Sequence, residues 1–282
     1  MRPLLKAAAL LAAAALLAGC QKDYSAYGLT TTGNIIQFNT KKPGTINSSV
    51  TVSGLGNGQS VVQIAYRPSN STLYCITNDG YLCTLEPSTG AATVMSTPFT
   101  EILGNGNNVV RLSSPVMSFD PVVDRLRVIS TDYNLLVNAD SGALVGSYTA
   151  VAFDKNDSNT GKTPQLVGIV YQNPVANSGS ATLYALDAGT SSLLRIGDKS
   201  TSDPNSASGG DLRTVGSTGV SFSSYGGFTI EQQNGDAYAV LQQSGSGAAL
   251  FTVDLDSGSA GEVGAIGNGD QTLQSLVIVP GD

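Results

Sequence analysis

Leu73-Tyr74-Cys75-Ile76 is one of five copies of a single short phrase, and the spacing of the copies decides the fold. The others are Ala26-Tyr27-Gly28-Leu29, Leu126-Arg127-Val128-Ile129, Leu183-Tyr184-Ala185-Leu186 and Ala237-Tyr238-Ala239-Val240. Their second positions, Tyr27, Tyr74, Arg127, Tyr184 and Tyr238, stand 47, 53, 57 and 54 residues apart. That period matches one four-stranded propeller blade per copy. The expectation is therefore an all-β chain folded as a single five-bladed β-propeller.

Around each copy lie short runs rich in β-branched and aromatic residues, broken by Gly, Pro, Asn and Asp, which turns require. The second blade reads as strands at 61–66, 73–77, 81–85 and 91–95. The third reads as 116–120, 125–130, 134–138 and 143–147, and the fifth as 227–231, 237–241, 250–254 and 261–265. The fourth is looser, with strands at 166–171, 182–187 and 193–196, then a polar excursion over 198–210 before 212–215. Residues 24–53 supply only three strands, whereas 273–279 resembles an isolated first strand. The two termini are thus expected to close one blade together, which removes open sheet edges. No segment carries a convincing helical period.

Outward from the blades, the chain begins MRPLLKAAALLAAAALLAGC, a cationic start followed by an apolar run too short to span a bilayer permanently. Leu17-Ala18-Gly19-Cys20 resembles a bacterial lipobox. The expected organisation is a lipoprotein signal peptide over 1–19, a lipidated tether over 20–25 with Cys20 as its acylated first residue, and the propeller over 26–280. Gln21 after the cysteine favours an outer-membrane destination, facing periplasm or exterior, by analogy with known lipoproteins. An ordinary secretory leader with Cys20 as a leftover thiol is the alternative.

Of three cysteines, removing Cys20 leaves Cys75 and Cys83. A turn centred on Asp79 sets them opposite one another, each four residues away, at a separation a disulfide bridges. An oxidising compartment favours that bond. Without the leader's Arg2 and Lys6, 12 basic residues face 21 acidic ones, a formal charge of −9. No basic patch exists to release counterions from phosphates, so nucleic acid is not expected as a partner. The anticipated state is a monomer meeting the membrane through its lipid and binding an unknown protein or small molecule.

Phe119-Asp120-Pro121 with Asp124-Arg125-Leu126-Arg127-Val128, then Asn134-Leu135, the Asp140-Ser141-Gly142 turn, Gly226-Gly227-Phe228, and Ala91-Ala92-Thr93 after Ser88-Thr89-Gly90 are phrases of a known kind. In these, from about Tyr27 to Pro280, the chain resembles the bacterial domain-of-unknown-function family 4394. Leu136 stands where that family has a second arginine. The resemblance implies a propeller-like fold and carries no particular activity across.

Aligned first strands put Arg67, Asp120, Gln172, Glu231 and Val279 at one equivalent position. If those strands line the axis, four polar groups gather at one mouth of the channel, as a ligand or cation ring. The alternative is that Arg67 and Asp120 pair across the seam between neighbouring blades. On the next strand Arg125 and Arg127 share one face, and Arg127 replaces the tyrosine of the other blades. A buried arginine calls for a carboxylate, with Asp120 and Asp124 the local candidates; recognition of an anion is the competing reading.

No histidine occurs in the chain, which removes the usual zinc and Ser-His or Cys-His chemistry. No cofactor is expected. Asp154 and Asn156 recur at calcium-loop spacing, but Asn159 stands where glycine is needed and Gln165 where the closing glutamate belongs. Asp120 and Glu231 lack any phrase that would set them at glycosidase spacing. The first functional reading is a non-enzymatic binding or scaffold module on the cell envelope. The alternative is a calcium-dependent or acid-residue hydrolase or lactonase at the channel mouth.

Overall fold

A computed structural model describes residues 22–95, 98–99, 111–197 and 206–280; the leader and Cys20 lie outside them. Each module folds on itself because its strands are short, alternating and joined by tight turns. Blade 1 contains β1 (Ser25–Thr30), β2 (Asn34–Asn39), β3 (Lys42–Thr51) and, from the other terminus, β21 (Leu273–Val279). Its order is β21-β1-β2-β3, with Ser25 opposite Val279, so both ends of the chain close one sheet as expected.

Blade 2 runs β4 (Val61–Arg67), β5 (Thr72–Thr77), β6 (Leu82–Glu86), β7 (Ala91–Val94). Blade 3 runs β8 (Val116–Asp120), β9 (Arg125–Ile129), β10 (Asn134–Val137), β11 (Leu144–Tyr148). Blade 4 has a fifth strand: β12 (Ala152–Phe153) lies parallel to β16 (Asp211–Ser217), outside β15 (Ser192–Gly197), β14 (Leu183–Asp187) and β13 (Leu166–Tyr171). Two residues of parallel pairing leave no alternation to read, so the sequence gives no sign of β12. Blade 5 is β17 (Gly226–Ile230), β18 (Ala237–Gln242), β19 (Ala248–Val253), β20 (Ala260–Ala265). A 3-10 turn at Ala207–Gly209 is the one helical element among the described residues.

The inner strands β21, β4, β8, β13 and β17 adjoin in that order and close the ring. Every strand is pleated, so each blade buries one face against the preceding blade and one against the next. Five apolar clusters result, one per seam. Ala65, Tyr74 and Ile76 meet Met117, Phe119 and Leu126 between blades 2 and 3, for example, and Tyr238 and Leu250 meet Phe38 and Ile278 between blades 5 and 1.

Close approach at the axis depends on glycine. A Cβ on Gly227 would run into the backbone nitrogen of Leu276, and one on Gly168 would sit 2.7 Å from the amide nitrogen of Phe228. The Gly226-Gly227-Phe228 phrase therefore draws β17 against its neighbour. Cys75 and Cys83 are directly paired across β5 and β6, 4.9 Å apart at Cα, and are joined by a disulfide within the blade 1–2 core.

Candidate functional site

The shared register puts Arg67, Asp120, Gln172, Glu231 and Val279 at one end of the inner strands, as the repeat implied. Their hydrogen bonds, however, run sideways into seams and turns. Arg67 is buried, and its guanidinium crosses from blade 2 to blade 3, with Nε and Nη2 on the two oxygens of Asp124 at 3.0 and 2.7 Å and Nη1 on Asp140. It also donates to the Tyr74 hydroxyl at 3.2 Å and lies 5.8 and 5.9 Å from the Tyr74 and Phe119 ring centres. Hydrogen bonds from Arg67 hold both aspartates below the usual carboxylate range, and those aspartates hold Arg67 above its own.

Asp120 is not the partner of Arg67. Its Oδ1 accepts the amides of Val122 and Val123 at 3.0 and 3.4 Å, closing the turn that follows β8. The long arginine side chain reaches past it to the far side of the same turn, where Asp124 sits with a left-handed φ of 49°.

Arg127, also buried, takes no carboxylate directly among the described residues. Its Nε donates to the Tyr171 hydroxyl at 2.9 Å and its Nη1 to Asn134 Oδ1 at 2.7 Å, with the guanidinium 5.4 Å from the Tyr148 ring centre. Tyr171, on β13, lies within the field of Asp120, and burial first, then that carboxylate, outweigh Arg127 and keep its proton on. The seam between blades 3 and 4 is thus bridged from Tyr171 through Arg127 to Asn134. Sequence reasoning missed it because Tyr171 arrives from another blade. Arg125, beside it, donates to the Asp124 carbonyl at 3.0 Å.

Glu231 is buried and turned inward on its own hairpin, accepting the amides of Gln233 and Asn234 at 2.9 and 2.8 Å and the Asn234 side chain at 2.9 Å. Asn234 and Asp236 in turn bind the Tyr24 hydroxyl, at 3.0 and 2.7 Å, and fasten the N-terminal segment to blade 5. Gln172 is half-buried, with its backbone amide on Thr182.

Between these residues the axis is nearly filled. Ile64, Met117, Ile169, Phe228 and Val277, one from each inner strand, surround a cavity of about 40 Å³. That admits roughly one to three waters. The loop of Asp154 and Asn156 is closed by its own amides: Asp154 Oδ1 accepts Asn156 N at 2.8 Å, and Asp157 accepts Thr214 and Asn159. Burial works to raise the Asp157 carboxyl, but these bonds outweigh it and leave it lowered. Among the described residues no three His, Cys, Asp or Glu side chains gather as a metal site.

The larger cavity, about 320 Å³, lies at the opposite end of the inner strands, on the seam between blades 3 and 4. Ser114, Ser130, Thr131, Gln165 and Ser224 supply its polar groups, while Ile129, Val151, Pro164 and Leu166 supply an apolar surface; among the described residues no charged side chain lines it. Ser130 is only 5% exposed and its hydroxyl has no hydrogen-bond partner among the described residues. The volume falls at the lower end of small-molecule sites. Nothing in the repeat announces it, since its walls are loop residues apart from Ile129 and Leu166 at strand ends.

This arrangement can be set beside known proteins. The family model described as Domain of unknown function (DUF4394) matches residues 34–276. The chain belongs to that family. No curated protein matches the DUF4394 chain at a significant level. Solved structures share its fold. The chain from the crystal structure of the Nidogen/Laminin complex superposes with a TM-score of 0.50 at 13% identity, covering 92% of this chain and 99% of that one. A structural-genomics protein of unknown function from Bacteroides thetaiotaomicron VPI-5482 gives 0.49 at 14%, covering 88% and 60%. Kuenenia stuttgartiensis hydrazine synthase gives 0.41 at 14%, covering 74% and 50%, so this chain spans half to three fifths of the last two. At such identities the likeness is one of fold alone.

Proposed function

We propose that this DUF4394 chain is an exported, lipid-anchored propeller that acts as a binding module of the cell envelope, taking a small uncharged ligand in the cavity between blades 3 and 4. One observation carries the reading. The charged residues at the channel mouth are engaged in internal hydrogen bonds around an axis of about 40 Å³, whereas the seam cavity has eight times that volume and is lined, among the described residues, by neutral groups. A hydrolase at the axis would need room for substrate and an acid free to act on it. The cavity suits a ligand that hydroxyl and amide groups recognise over an apolar floor.

Anchoring rests on the Leu17-Ala18-Gly19-Cys20 ending, with Gln21 favouring the outer membrane. Among the described residues no helix is long and apolar enough to cross a membrane. The test is fractionation of a native-type host, with mass spectrometry of the mature terminus. Wild-type protein is expected in membranes with acyl chains on Cys20, and Cys20→Ser in the soluble fraction. A wild-type protein that is soluble, or whose mature terminus lies elsewhere, overturns the anchoring.

A further inference from the structure

The repeat fixes which end of the ring the N-terminus leaves from. Ser25 pairs with Val279, the last residue of its inner strand, so the segment before it emerges at the end that also carries Arg67, Asp120 and Glu231. Tyr24 is pinned there by Asn234 and Asp236. Cys20 is five residues before Ser25, a span of at most about 18 Å. Inner strands of up to seven residues are themselves about 20 Å long. An acyl chain on Cys20 therefore cannot be presented at the opposite end.

That same end carries exposed apolar side chains away from blade 1. Val122 and Val123 are 43% and 50% exposed on the turn after β8, and Val175 is 49% exposed on the loop after β13. These loops belong to blades 3 and 4, across the ring from the tether. The valines are held up by design of the turn: Asp120 caps it from within, while Arg67 and Ser69 grip Asp124 at its far side. Arg67 and Arg125 offset the charge of Asp124 and Asp140 beside them.

Resting on the lipidation proposed above, we infer that this end of the propeller lies against the phospholipid bilayer, with Val122, Val123 and Val175 in its interface, so that the 320 Å³ cavity opens away from the membrane. The tether and the apolar loops then form two separated footholds, and stable membrane attachment generally takes more than one signal.

The chain has no tryptophan, so a single introduced one reports alone. Val123→Trp and Val175→Trp probe the proposed contact, and Tyr225→Trp, before β17 at the opposite end, is the control. Each processed protein, purified from membranes, is reconstituted in phosphatidylcholine vesicles with brominated acyl chains, and its acylation is read by intact mass. The inference predicts roughly twofold or greater quenching at positions 123 and 175 and none at 225. Equal or stronger quenching at 225, or none at 123 and 175 in acylated protein, overturns it. Absence of acyl chains on Cys20 overturns the anchoring itself, a distinct result visible in the mass.

Discussion

Replacing Arg67 with Met keeps an apolar stem between blades 2 and 3 and removes the charge. The variant loses the two-point bond to Asp124, the bonds to Asp140 and Tyr74, and the stacking on Tyr74 and Phe119. A carboxylate stranded in a dry core would make this loss about 3–5 kcal/mol. Here the Asp124 and Asp140 side chains are 36% and 67% exposed and regain water. What remains is the net value of charge-assisted hydrogen bonds, roughly 1.5–3 kcal/mol, and about 0.5–1 kcal/mol of cation–π contact. Relief of the buried guanidinium offsets part, so about 2–3 kcal/mol is expected, a fall in Tm of roughly 4–6 °C for a chain this size.

Urea denaturation across pH adds a sign. Arg67 depresses both carboxyls in the folded state, so their contribution is present above the ordinary carboxylate value near 3.8 and is lost as pH falls through the lower folded values. The gap between wild type and Arg67→Met should therefore be full at pH 7 and shrink below about pH 4. A gap under about 0.5 kcal/mol at pH 7, or one that widens in acid, refutes the reasoning.

Three further substitutions probe other parts of the ring. Cys75→Ala with Cys83→Ala should cost about 2.5 kcal/mol by the loop-entropy model and leave the fold intact, checked by denaturation and circular dichroism. Gly227→Ala should cost about 3 kcal/mol or prevent folding, because the new methyl meets the Leu276 backbone, which cannot move without opening the axis; near-wild-type Tm would contradict that packing. Ser130→Ala should be neutral or stabilise by about 1 kcal/mol, since it deletes a buried hydroxyl with no partner among the described residues; a loss above about 1 kcal/mol would mean the hydroxyl has a partner.

What the sequence makes legible is whatever the repeat encodes. Tyr74 and its equivalents mark the second strand of each blade, Asn78-Asp79-Gly80 sets Cys75 opposite Cys83, and the orphan strand at 273–279 completes the terminal blade. The equivalence of Arg67, Asp120, Gln172 and Glu231 along the inner strands is legible for the same reason. Their partners are not. Which acid Arg67 meets depends on the reach of its side chain across a twisted seam, four residues beyond the register-matched Asp120. Arg127 finds neutral acceptors, Asn134 on the next strand and Tyr171, 44 residues on, from the neighbouring blade. The cavity was invisible because Ser114, Thr131, Gln165 and Ser224 belong to loops that no repeat aligns.

The central claim is that ligand enters the seam cavity and that the polar channel mouth is structural. A thermal-shift screen of small uncharged molecules on wild type, Ser224→Trp and Asp120→Asn tests both halves at once. Ser224 is exposed at the cavity rim, so tryptophan there obstructs the cavity without touching the core. The account predicts that stabilisation by a hit disappears in Ser224→Trp and persists in Asp120→Asn, whose own Tm falls because the turn bonds to Val122 and Val123 weaken. Stabilisation that survives Ser224→Trp and vanishes in Asp120→Asn would place the ligand at the channel mouth and contradict it.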